Sequence, residues 1–236
     1  MFPAFACVYT DRVAIAFFDF DRTLIANNSG ALWLRRELRL GHISPLQGLR
    51  AAVWLMRYQL GFAELEDAIA RAISTLAGSR EQELRERTAR FYESQVKPLY
   101  RPGARKALEE HRRAGDSLVL LTSSSLYLSE LVARELMLDA VLCNRFEVDD
   151  RGLHTGRTIG AVCFGKGKLL HAEEFVRGRG TRLSDCAFYT DSFADLPVLE
   201  AVGKPVAVNP DRRLRRLAHQ RGWELVDWGE PATSSS

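Results

Sequence analysis

Val13-Ala14-Ile15-Ala16-Phe17-Phe18-Asp19-Phe20-Asp21-Arg22-Thr23-Leu24 decides how the rest of the chain is read. Its first six residues are apolar and lack helical alternation, so they form a strand buried on both faces of a parallel sheet. Two carboxylates, Asp19 and Asp21, follow two residues apart, where that strand must end. In a continuing strand they point to one side; if the chain bends after Asp19, they flank a site from two directions. Like charges this close are costly unless a cation shares them. Ligands of open α/β sheets bind at this end of the strands. A solvated Asp-rich turn would also hold two such acids. It would need neither the buried strand before them nor the small polar Thr23 after them.

The chain has 236 residues, 46% hydrophobic and 27% charged, enough for one large domain or a core with an insertion. Its net charge of +3 is spread along helices rather than gathered in a block, which argues against a nucleic-acid partner. Cys7, Cys143, Cys163 and Cys186 are far apart and have no metal-binding spacing, so they read as reduced thiols. No uncharged apolar run reaches the roughly 18 residues of a membrane span. Residues 1–8 lack the basic and apolar regions of an export signal, so the expected location is cytoplasmic.

Downstream of the first strand, Ser29 is expected to cap a helix over 31–38. Further helices are expected over 46–60 and 62–76. Ser79-Arg80-Glu81-Gln82 has the pattern of a capping box, opening a long charged helix that ends near Val96-Lys97-Pro98. Four helices without a strand between them mark an inserted all-helical cap over 30–98, leaving 1–29 and 99–229 as an α/β core. From Pro102 onward helices alternate with strands over 117–121, 140–144, 186–189, 205–208 and 223–226. A small β-hairpin over 146–158 turns at Asp149-Asp150-Arg151-Gly152. Asn209-Pro210-Asp211 caps a last basic helix over 212–220, and 230–236 is expected to be a disordered tail. The predicted fold class is α/β, a Rossmann-like doubly wound parallel sheet with a helical cap.

Three of these strands stop on polar side chains: Asp19 and Asp21, then Thr122 and Ser123, then Asp191 with Asp195 shortly after. A parallel sheet brings all three stops to one edge. Three carboxylates there ask for a hard divalent cation, and Mg2+ takes carboxylates together with waters and a phosphate oxygen. The Thr122 hydroxyl and main-chain N–H groups at Phe20, Asp21 and Ser123 suit phosphate oxygens. A lysine must offset the remaining negative charge. Gly165-Lys166-Gly167-Lys168 offers two, Lys166 and Lys168, at a helix start.

Asp19-Phe20-Asp21-Arg22-Thr23, the strand ending in Thr122, the lysine at 168 and Asp191-Ser192-Phe193-Ala194-Asp195 resemble, in order, the four motifs of the haloacid dehalogenase superfamily. The helical insertion between the first two motifs is similar to that of its phosphoserine-phosphatase-like hydrolases. Pro102-Gly103, Gly152-Leu153-His154-Thr155-Gly156 and Asn209-Pro210-Asp211 match as well, and the likeness runs from about Val13 to Trp228.

The resemblance implies a Mg2+-dependent phosphatase in which Asp19 is the nucleophile and Asp21 the general acid and base. It implies metal ligation by the Asp19 and Asp191 carboxylates and the Asp21 main-chain carbonyl. Phe20, Thr122, Ser123 and Lys168 would hold the phosphoryl group, supported by Asp195. Asn28 takes the position where phosphoserine enzymes carry a glutamate for the substrate ammonium, a charge that an amide cannot supply. The resemblance also extends to relatives with this cap that act on histidinol phosphate and on lipid-derived phosphates, which are alternative substrates of the same chemistry. Trp33, His42, Trp54, Arg57, Tyr58 and Arg71 are the cap side chains from which selectivity or cap packing would come.

The expected partner is a small phosphorylated metabolite, with no nucleic acid and no membrane span, acting on a monomer or homodimer. Two other classes compete with this reading: a phospho-acceptor signalling module, and a non-catalytic phosphate-binding relative. The first strand's Asp-x-Asp and the large insertion speak against the former, and the intact set of six polar residues against the latter.

Overall fold

We describe residues 15–42 and 71–231 of a computed structural model. Seven strands form one sheet: β1 (Ile15–Phe18), β2 (Ser117–Ser125), β3 (Ala140–Val148), β4 (His154–Ile159), β5 (Cys186–Thr190), β6 (Lys204–Val208) and β7 (Glu224–Val226). Their order is β4-β3-β2-β1-β5-β6-β7, and every neighbouring pair is parallel except β3 and β4. The chain winds outward from β1 through β2 and β3, then resumes on the other side of β1 with β5, β6 and β7. Winding therefore reverses between β1 and β5, which opens a crevice at their carboxyl ends.

The helices are α1 (Ser29–Arg39), α2 (Glu81–Phe91), α3 (Pro102–Ala114), α4 (Leu126–Leu136), α5 (Lys166–Arg177), α6 (Leu196–Leu199) and α7 (Arg212–Arg221). Alternation along each strand builds a core on both faces. Phe18, Leu118 and Leu120 pack with Leu108 of α3, Val132 of α4 and Trp228. Ile15, Phe17, Val119, Leu121 and Phe188 pack with Ala172 of α5 and Leu214 and Ala218 of α7. This double burial is why the central strands read as unbroken apolar runs. The fold is the doubly wound α/β sheet that the alternation predicts.

Several local expectations give way to tertiary contacts. Asn28, not Ser29, caps α1: its Oδ1 accepts from Ala31 N at 2.8 Å. The capping box at Ser79 does not form, because Ser79 Oγ donates back to Leu76 O. Arg80 is the residue before α2, and its helix start is held by the hairpin instead: Glu81 N donates to Gly152 O, and Arg80 bridges to Leu153. The long helix expected to reach 96–98 ends as an α-helix at Phe91 and continues as a wider turn over Tyr92–Val96.

β2 runs past Thr122 to Ser125, and the hairpin is not separate, since β3 serves both it and the parallel sheet. The helix that follows Asp195 is short, spanning Leu196–Leu199.

Among the described residues of 30–98, α1 and α2 meet through Trp33 and Phe91, ring edge to ring face at 5.2 Å. Buried Glu37 takes Arg36, Arg87 and His42, and the guanidinium groups of Arg36 and Arg87 lie over the Trp33 ring. Trp33 and His42 thus serve contacts around α1 and α2, and Arg71 is exposed.

The helix expected over 46–60 and most of that over 62–76, with Trp54, Arg57 and Tyr58, lie outside the described residues, as do Cys7 and 232–236. Gly229 and Glu230 are docked by Arg101, whose Nη1 donates to the Gly229 carbonyl at 2.5 Å and the Glu230 carboxylate at 2.7 Å. Cys143, Cys163 and Cys186 are buried and unpaired. No helix among the described residues is long and apolar enough to cross a membrane.

Candidate active site

Asp19 follows β1 directly, and its N–H donates to Tyr189 O, which ties it to β5 at the crevice. The chain then bends. Asp21 is still extended, and Arg22 adopts φ 60°, a left-handed conformation that costs a side-chain-bearing residue energy and reverses the chain. The turn closes on itself through Ile25 N to Phe20 O and Arg22 N to Asn27 O. Phe20 is fully buried, so only its main chain remains to face a ligand. Of the two arrangements open to the Asp-x-Asp pair, the bent one is realised. Asp21 Oδ1 accepts from Ser29 N at 2.6 Å, on the first turn of α1.

Thr23 links the first and last motifs. Its hydroxyl oxygen accepts from Asp191 N at 2.9 Å and lies 3.4 Å from Asp191 Oδ1. Asp191 directly follows β5, and its carbonyl accepts from Asp211 N, so the residue that caps α7 also holds this turn. Thr122 is 1% exposed, with Oγ1 accepting from Ser124 N at 3.1 Å.

Lys168 is buried, and its ammonium donates to Asp19 Oδ1 at 2.7 Å and to Asp195 Oδ2 at 2.8 Å. Lys166 is exposed. Asp195 Oδ2 also accepts from Thr190 Oγ1 at 2.7 Å. Asp19, Asp191, Asp195 and Lys168 thus meet at the β1–β5 crevice, with Asp21 on the bend beside them. Asn28 stands half-buried, with its side-chain oxygen engaged on α1.

Electrostatics separate the acids. Burial pushes Asp19 up to about 8; Lys168 opposes this, while Asp195 and Asp191 add to it. Burial, with Asp195 as the next cause, pushes Asp191 up to about 7. Asp21 is raised by burial too, against the opposing Ser29 N–H. Lys168 is raised despite its burial, because Asp19 and Asp195 favour the ammonium.

Three buried carboxylates thus face one ammonium. That donor set fits a divalent cation held by Asp19 and Asp191, which would relieve the repulsion between them. Among the described residues no group of three or more His, Cys, Asp or Glu side chains surrounds a metal-sized centre. Two carboxylates and the Asp21 main-chain carbonyl ask for fewer acidic side chains than that.

Two residues with a part in the site escape the reading of the sequence. Arg101 is buried and donates from Nε to Arg22 O, bracing the bend. Asn144 joins the end of β2 to the loop before α5. It sits where a predicted strand stops on a polar side chain, the signal that marks the other strand ends. Two surface clefts of about 460 and 530 Å3 open along the amino-terminal edge of the sheet and include none of the predicted site residues.

This chain belongs to the haloacid dehalogenase-like hydrolases, whose family match spans residues 16–200. Within that class it is 33% identical to an "inhibition of morphological differentiation protein" of Streptomyces azureus, over 92% of this chain and 79% of the relative. It is 32% identical to a phosphoserine phosphatase of Mycobacterium tuberculosis, over 92% of this chain and 72% of the relative. A histidinol-phosphatase of Neisseria meningitidis is 28% identical over 91% of this chain and 98% of its own. Among solved structures, a Bordetella pertussis protein of unknown function superimposes with a TM-score of 0.83 at 30% identity. That alignment covers 91% of this chain and 98% of the other.

Proposed function

We propose that this chain is a Mg2+-dependent phosphatase that hydrolyses a small phosphomonoester through an aspartyl-phosphate on Asp19. The observation that carries the reading is the Lys168 ammonium held between Asp19 and Asp195 at the carboxyl edge of the sheet. An acid in that position can act as a nucleophile while the lysine neutralises the phosphoryl oxygens. The family match and the relatives named as phosphatases support the same reaction class.

In this mechanism an Asp19 carboxylate oxygen attacks phosphorus, and the ester P–O bond opposite it breaks. Asp21 gives its proton to the departing alkoxide. In the second half Asp21 takes a proton from water, whose oxygen attacks phosphorus and releases inorganic phosphate and free Asp19. Thr122 and Lys168 hold the phosphoryl oxygens throughout. Asp195, fixed by Thr190, keeps Lys168 aimed. A bound Mg2+, held by Asp19, Asp191 and the Asp21 carbonyl, would supply charge stabilisation of the transferring group. Residues 30–98 would form a cap over this edge and select the alcohol.

Among substrates, phosphoserine, histidinol phosphate and lipid-derived phosphates are the candidates. Asn28 lacks the carboxylate that would pair with a substrate ammonium; phosphoserine and histidinol phosphate both carry that ammonium, so this residue does not choose between them. The test is turnover of p-nitrophenyl phosphate with Mg2+, abolished by EDTA and by Asp19→Asn, followed by a panel of phosphorylated metabolites. If no phosphomonoester is turned over, the reading falls and a phosphate-binding role takes its place.

A further inference from the structure

Asn144 is buried on β3, and both ends of its amide reach elements that carry the phosphate-binding residues. Its Nδ2 donates to Ser123 O at 2.6 Å, and its Oδ1 accepts from Cys163 N at 2.8 Å. The first bond fills a gap in the sheet. Leu121 pairs with Leu142, and the next pairing joins Ser125 to Asn144, so β2 advances four residues while β3 advances two. Thr122, Ser123 and Ser124 leave the ladder there, and the Asn144 amide stands in for a main-chain donor.

A peptide unit is planar, so fixing the Ser123 carbonyl also fixes the Ser124 N–H on its far side. That N–H donates to Thr122 Oγ1. A hydroxyl that accepts in one direction has its own hydrogen left to donate in another. The amide on β3 thereby aims the Thr122 O–H.

The second bond reaches a turn without slack. Phe164 N donates to Val162 O and Gly167 N to Phe164 O. A Cβ on Gly167 would lie 1.9 Å from Val162 O, and Gly165 takes a positive φ of 50°. Holding Cys163 therefore holds the start of α5, and with it Lys168.

We propose that Asn144 is a positioning residue that sets the separation of the Thr122 hydroxyl and the Lys168 ammonium, and so their joint fit to the transferring phosphoryl group. This deepens the phosphatase reading and rests on it.

Asn144→Asp keeps the volume and the acceptor for Cys163 N but removes the donor to Ser123; Asn144→Ala removes both bonds. The readouts are kcat and KM for p-nitrophenyl phosphate, inhibition by orthovanadate, and Tm, with rates normalised to the folded fraction. The expected loss in kcat is about 100-fold, as for a misplacement of reacting groups by about 1 Å, with vanadate inhibition weakened in parallel and KM moved far less.

Folded variants with the wild-type kcat and vanadate inhibition overturn the proposal, even if Tm falls, because a merely structural amide would behave that way. If neither variant folds, Gly167→Ala strains the same turn from its far end, and a wild-type kcat there also overturns it. A wild type that turns over no phosphomonoester removes the phosphatase reading and this proposal together; an active wild type with indifferent variants removes only this one.

Discussion

Lys168 donates to Asp19 Oδ1 at 2.7 Å although 149 residues separate the two in the chain. The same ammonium reaches Asp195 and lies 5.8 Å from the centre of the Phe188 ring, so one buried cation serves two acids beside an aromatic face. A buried ion pair seldom adds much net stability, because desolvation offsets the attraction. On the proposed phosphatase reading its worth lies in placing a charge where phosphoryl oxygens would sit.

Removing that cation leaves two buried acids facing each other. Lys168→Met should cost about 3–5 kcal/mol of stability, the range for breaking a buried pair, and abolish turnover. Lys166→Ala, at an exposed site, should stay within about 0.5 kcal/mol and keep full activity. Urea melts together with kcat values check both; the reverse ranking would reassign the lysine.

Stability should depend on pH and metal jointly. Burial pushes Asp19 up to about 8 and Asp191 up to about 7, against an ordinary value of 3.8. Between about pH 4 and pH 8 the native state therefore holds protons that the unfolded chain has lost, and stability falls as pH rises through that window. A cation binds the ionised acids, so Mg2+ should raise Tm more at about pH 8 than at about pH 5.5. Thermal melts with and without Mg2+ test this, and equal shifts at both values would contradict it.

The role of Asp21 can be read from the leaving group. Asp21→Asn keeps an oxygen for the Ser29 N–H and loses the proton. Hydrolysis of an alkyl phosphate should slow by about 100- to 10,000-fold, the usual value of general acid–base help. The first step with p-nitrophenyl phosphate should suffer less, because p-nitrophenolate leaves without protonation. Comparing single-turnover rates for the two esters decides it; equal losses would deny Asp21 the acid's part.

Asn28 has a structural duty that can be separated from any contact with substrate. Asn28→Ala should lose about 1 kcal/mol with the α1 cap, whereas Asn28→Asp should retain it. Asn28→Glu should raise kcat/KM for phosphoserine relative to an analogue without the amine. An unchanged ratio would leave Asn28 as a helix cap alone.

Short-range pattern made much of this protein legible. The apolar run before Asp19 predicted a strand with both faces buried, and Ile15, Phe17 and Phe18 are at most 2% exposed. Asp211, within the stretch expected to cap the last helix, is the cap, because an aspartate before a helix can reach the first N–H groups with no outside help. Ser29 and Ser79 have equally good local credentials and fail. Asn28 reaches the orphan N–H of Ala31 first, and Ser79 loses its helix end to backbone groups of the distant hairpin.

The amino-acid sequence alone determined the alternation of strands and helices and the acids that end the central strands. Burial on two faces and the need to stop a strand are both written within a few adjacent residues. Tertiary structure alone decided that Lys168 rather than Lys166 enters the crevice, that Asp21 swings onto the first turn of α1, and that Asn144 joins two loops. Each of those outcomes turns on a hydrogen-bond partner supplied by a remote segment, which folding brings within 3 Å and no local pattern records.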